Sequence, residues 1–166
     1  MKNKFFYICQ TFLEDNRMNR KTFKERVIYP LNSLLNKIDS LNICLHPRSE
    51  KTLYEPLNNS NKIIFNSYSK AYENKNNIFI GHYSTIIFKL IAKSEKVMLI
   101  DLDWDELPHH VYDSSSLFLK WNDLNRELKD INLESINSSK PNKEFLSMFE
   151  DKLYLQDSRV IKKILK

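Results

Sequence analysis

Short, continuous apolar runs recur along the chain, separated by polar or amphipathic stretches. KFFYIC (4–9), NICLHP (42–47), KIIFN (62–66), NIFIG (77–81) and KVMLIDLD (96–103) have the length and composition of strands buried on both faces. SSSLFLKW (114–121) holds a shorter sixth run. The intervening segments follow a helical period. Phe23, Val27, Leu31, Leu34, Leu35 and Ile38 are spaced to form one face of a helix over 21–41, and Pro30 predicts a kink within it. The segment 84–94 reads as a helix with an apolar face, and 67–74 as a short helix capped by Ser67. Amphipathic helices are expected over 121–131 and 142–153, with a polar link at 132–142 between them. EKTLYEPL (50–57) fits a short helix or a loop, and 160–166 a closing helical turn.

Apolar strands alternating with helices predict βαβ units. The fold class is therefore α/β: a doubly wound parallel sheet forming one Rossmann-like domain over residues 1–166. Such sheets bind ligands at the carboxyl ends of their strands. Three polar clusters are expected at that edge: Glu14-Asp15-Asn16 after strand one, His46-Pro47-Arg48 after strand two, and GHYST (81–85) after strand four.

Each cluster has a chemical reading and a plainer one. Gly81 is the single glycine of the chain; glycine permits positive φ and lets another group approach the backbone closely, and a lone one predicts a turn. Gly81 and His82 would lead into Ser84 and Thr85, which open a helix whose unpaired N–H groups attract phosphate; alternatively, Ser84 simply caps that helix. His46 is placed to donate to a phosphate or protonate a leaving group, with Pro47 fixing the backbone and Arg48 neutralising charge. A strand-capping histidine beside a surface arginine is the alternative. Glu14 or Asp15 is a candidate general base, or part of a solvated acidic loop. The acids and histidines of 101–113 match no zinc spacing; a surface loop without metal is expected there. One glycine cannot make a dinucleotide fingerprint or a P-loop.

Composition narrows the partners. A net charge of +5 suits an anionic ligand, but the lysines are scattered rather than striped, which argues against nucleic acid. Cys9 and Cys44 lack CxxC spacing and fall in apolar runs, so both are expected as reduced core thiols. No run reaches the roughly 18–20 apolar residues of a membrane helix. The first residues lack a signal cleavage pattern, which points to the cytoplasm.

Taken in order, QTFLEDN, LHPR and GHYST resemble the acidic, HP and serine motifs of bacterial sialyltransferases and polysialyltransferases. The likeness spans residues 4–103, with Asn16 where the acidic motif has glycine. It implies one nucleotide-binding half of a two-domain GT-B enzyme, working by inversion with no metal and no cofactor. Glu14 or Asp15 would activate the acceptor hydroxyl. His46 would bind or protonate the phosphate of departing CMP, which Ser84 and Thr85 would hold. The implied partners are a CMP-sugar donor and a glycan acceptor. The resemblance leaves room for peripheral inner-membrane association and for a partner domain supplying the acceptor half. Another capsule or teichoic-type cell-envelope transferase fits the same layout, as does a non-catalytic nucleotide-binding or interaction remnant.

Overall fold

A computed structural model describes residues 3–58, 60–66, 76–103, 109–122 and 130–153. The expected helix at 67–74, most of that at 121–131 and the turn at 160–166 lie outside the described residues. Six strands form one sheet: β1 (Lys4–Ile8), β2 (Leu41–Cys44), β3 (Ile63–Asn66), β4 (Asn77–Gly81), β5 (Lys96–Asp101) and β6 (Leu117–Lys120). Every neighbouring pair is parallel, in the order β3-β2-β1-β4-β5-β6. This is the doubly wound α/β arrangement expected from the strand pattern.

The apolar runs are continuous because both faces of each central strand are covered. Phe5 and Tyr7 of β1 join a core with Leu41, Ile43, Ile78 and Ile80, while Phe6 and Ile8 join another with Phe79, Val97 and Leu99. The first core is closed by α1, an interrupted helix that begins at Arg20–Phe23, widens to a π turn at Lys24–Ile28 and resumes at Tyr29–Leu35. Asn19 caps its start by accepting from the Thr22 N–H at 2.9 Å. Pro30 lacks an N–H and disrupts the ordinary ladder, and the widened turn stands just before it. The expected irregularity is thus present as a change of helical winding.

The second core is closed by α2 (Thr85–Ala92), α3 (His109–Ser114) and α4 (Lys143–Leu153). Phe145 of α4 is wholly buried and its ring meets Phe88 of α2 edge-on, with centroids 5.9 Å apart. Among the described residues, no helix is long and apolar enough to cross a membrane. Cys9 and Cys44 are both buried and unbridged.

Gly81 does not make the expected turn, although another group does approach its backbone closely. It ends β4, and its φ is not positive. Packing, rather than a turn, explains the glycine: a Cβ there would lie 2.5 Å from Ile87 Cδ1 and 2.7 Å from its Cγ1. The first turn of α2 therefore rests directly on the strand backbone. Overpacking costs about 1–3 kcal/mol, more than the ~0.4–1 kcal/mol that alanine gains by restricting the unfolded chain. Gly81→Ala is expected to lose about 1–2 kcal/mol in urea unfolding. Wild-type stability in that variant would show that Ile87 moves aside freely.

Candidate functional site

β1 and β4 are neighbours, but the chain leaves them in opposite directions: α1 covers one face on the way to β2, and α2 covers the other on the way to β5. Strand order reverses between them, and the loops part at their carboxyl ends. A cavity of about 480 Å³ lies there. Gln10, Thr11 and Arg17 line it from the segment after β1, His46 from beyond β2, and Tyr83, Ser84, Thr85 and Ile86 from the start of α2. Ile8 and Phe88 supply apolar wall.

Three sequence-predicted site residues therefore meet: His46, Ser84 and Thr85. Ser84 caps α2, its Oγ accepting from the Ile87 N–H at 3.3 Å. The plainer reading of Ser84 is thus correct as far as it goes, yet the same hydroxyl, which lines the cavity, still has its own hydrogen to donate. Thr85 and Ile86 stand in the first helical turn, where backbone N–H groups have no helical carbonyl to meet. His46 Nδ1 accepts from the Arg48 backbone N–H at 3.2 Å. A nitrogen that accepts carries no proton, so the neutral ring holds its hydrogen on Nε2. The cavity wall thus offers ring, hydroxyl and backbone N–H donors, with the Arg17 cation beside them.

The other candidates lie elsewhere. Glu14 and Asp15 do not line the cavity. The Asp15 carboxylate accepts from Thr11 Oγ1 and pairs with the Arg48 guanidinium at 2.9 Å. The Thr11 hydrogen bond, followed by Arg48, holds Asp15 below its ordinary carboxylate range. Both Glu14 carboxylate oxygens are buried without a hydrogen-bond partner. Glu14 and Arg48 border a separate hollow of about 380 Å³. Asn16 adopts φ 54°, the left-handed conformation that a glycine would also permit. Pro47 and Arg48 are exposed outside the cavity.

His82 is a correction of a different kind. It is only 2 % exposed and turns into the core beneath α1. Its Nδ1–H donates to the Ile100 carbonyl at 3.1 Å, and its Nε2 accepts from the Tyr7 hydroxyl at 2.9 Å. Phe12 packs edge-on against the ring. His82 therefore ties β1 to β5 across the end of β4, and both its nitrogens are occupied. Burial pushes its pKa down to about 4, only partly opposed by the Ile100 hydrogen bond.

Cys9 lies at the cavity wall, but burial raises its thiol pKa; burial likewise pushes Cys44 up to about 11. Neither is a thiolate nucleophile near neutrality. Asp101 accepts from the Asp103 N–H at 3.0 Å, a local loop contact, and among the described residues no cluster of acids, histidines and cysteines could hold a metal. Sequence reading overlooked Gln10, Thr11, Arg17 and Tyr83. Arg17 was legible as a cation in the same loop as Glu14 and Asp15; Tyr83 was hidden because its backbone matters, accepting from Gln10 Nε2 at 3.1 Å.

The His82 environment predicts a pH response. An unfolded histidine takes up a proton near pH 6.5, whereas folded His82 resists until about pH 4. The unfolded state binds more protons in that window, so stability is full above about pH 6.5 and falls as pH drops towards 4. The loss between about pH 7.5 and about pH 5 is expected to be ~2 kcal/mol. His82→Phe should remove that increment from the pH dependence measured by urea unfolding, whatever its baseline stability. An unchanged pH dependence would exclude His82 as its source.

Comparisons of the chain with protein-family models, with curated proteins and with solved structures find no match.

Proposed function

We propose that the cavity between the β1 and β4 ends binds the phosphate of a CMP-sugar, and that the chain is the donor-binding half of an inverting glycosyltransferase of the sialyltransferase kind. The observation that carries this reading is the convergence of His46, Ser84 and Thr85 on one cavity at the switch point, joined by Arg17. The resemblance of LHPR and GHYST to the HP and serine motifs supplies the choice of nucleotide and sugar.

Sialyl transfer breaks the bond between an anomeric carbon and a phosphate oxygen. Negative charge builds on that phosphate as the bond lengthens. Donors fixed beforehand stabilise the developing charge without reorganising. His46 Nε2–H, the Ser84 and Thr85 hydroxyls and the first N–H groups of α2 would serve as those donors. Arg17 adds a full charge, and the apolar wall of Ile8 and Phe88 lowers the local screening. The base assigned to Glu14 or Asp15 has no counterpart lining this cavity. The acceptor side of the reaction is therefore expected from a partner domain.

Calorimetric titration with CMP, CDP and UDP tests the reading. CMP is expected to bind best. Preference for CDP or UDP would favour a teichoic-type transferase, and no binding by any of the three would end the proposal. Ser84→Ala with Thr85→Val should weaken CMP binding by about 1–3 kcal/mol if both hydroxyls donate to a charged phosphate. Ser84→Ala alone also costs the helix about 1 kcal/mol of capping, so Thr85→Val is the cleaner single variant. His46→Ala should reduce affinity with little change in urea midpoint. Unchanged affinity in all these variants would move the ligand elsewhere.

A further inference from the structure

Arg48 and Asp15 lie outside the cavity, yet they contact two residues that line it. The Arg48 guanidinium reaches Asp15 Oδ1 at 2.9 Å and Oδ2 at 3.2 Å, and Thr11 Oγ1 at 3.3 Å. Thr11 in turn donates to Asp15. These contacts join the loop after β2 to the loop after β1, across 33 residues of sequence. At the same time the Arg48 backbone N–H holds His46 Nδ1. One residue therefore fastens the loop with its side chain and orients the histidine with its main chain.

We propose that the Arg48–Asp15 pair is a positioning device: it fixes the His46 loop on the β1 loop so that the ring presents Nε2–H to an anionic ligand of the phosphate class. The proposal rests on the phosphate-binding reading of the cavity and changes the roles of two residues within it. Asp15 becomes an anchor for Arg48 rather than the base, and Arg48 acts through His46 rather than touching the ligand. The geometry accounts for both changes. An aspartate already engaged by a guanidinium and a hydroxyl has little basicity left for an acceptor. The Arg48 guanidinium is engaged by Asp15 and Thr11, and Arg48 is not among the residues that line the cavity. The pair is partly exposed, with side chains 59 % and 35 % accessible. Exposed ion pairs have small energies, so the device tunes an orientation without holding the fold together.

The two histidines provide an internal contrast. His46 accepts at Nδ1 and so carries its hydrogen on Nε2. His82 donates from Nδ1 to Ile100 and accepts at Nε2, the opposite tautomer. Long-range proton–nitrogen correlation spectra of the full chain, labelled at histidine and recorded without ligand at about pH 8, distinguish the two. In Asp15→Asn and Arg48→Ala, the His46 nitrogens are expected to shift towards the averaged signals of a mobile ring, while the His82 signals stay fixed. Arg48→Lys keeps the charge but loses the fork, and should fall between wild type and Arg48→Ala.

Affinity for CMP gives a second readout. Asp15→Asn and Arg48→Ala should each weaken binding by about twofold to fivefold, the scale of an exposed pair. The double variant should lose no more than the worse single one. A direct ligand role for Arg48 predicts the reverse for Asp15→Asn: freeing the guanidinium would tighten binding. Tighter or unchanged binding in Asp15→Asn, or His46 signals that ignore both substitutions, overturns the proposal. The spectra need no ligand, so they decide it even if CMP fails to bind and the phosphate-binding reading falls.

Discussion

β1 and β4 share a ladder of backbone hydrogen bonds, but the chain must leave them on opposite faces of the sheet. Crossovers between parallel strands keep one hand. A connection running outward to β2 is therefore covered on one side, and a connection running outward to β5 on the other. The two strand ends cannot be closed over by a common loop, and a hollow at that place follows from the winding alone. Its size and lining are then set by local residues. Gly81 lets α2 settle against the strand, which brings Ser84 and Thr85 to the rim. The Arg48 contacts bring the β2 loop across from the other side.

The sheet was largely legible because its strands carry nearly uninterrupted apolar runs. Full burial on both faces erases the alternation that would otherwise reveal which residue points where. That is why the strands could be placed while the partition of Phe5 and Tyr7 from Phe6 and Ile8 could not. The edge holding the cavity followed from strand polarity. Its membership did not. The connection from β1 to α1 runs over residues 9–19, and within such a loop nothing local says which side chain turns to the sheet edge and which to solvent. Pairings such as Arg48 with Asp15 depend on how two distant loops meet. They leave no periodic trace.

Gly81 and the residues after it show where motif reading and packing diverge. As a string, GHYST suggests one phosphate-binding turn. In three dimensions the segment crosses from one face of the sheet to the other. His82 drops into the core beneath α1, and Ser84 begins α2 on the far side. The glycine serves neither through flexibility nor through ligand approach, but through the absence of a side chain where Ile87 presses on the strand. A residue type with several physical uses cannot be assigned one of them until its neighbours are known.

The same point decides the two histidines. Each follows a strand at the carboxyl edge, and each is hydrogen-bonded at Nδ1. The partner differs, and with it the role. His82 meets a strand carbonyl, which requires Nδ1 to donate, and Tyr7 then claims the remaining nitrogen. Every polar atom of that ring is satisfied inside the core, so it joins strands and has nothing left to offer a ligand. His46 meets a backbone N–H, which requires Nδ1 to accept, and its proton is left on Nε2 in a ring that borders open space. Donor or acceptor at a single main-chain contact thus separates a histidine that completes the core from one available to a bound anion.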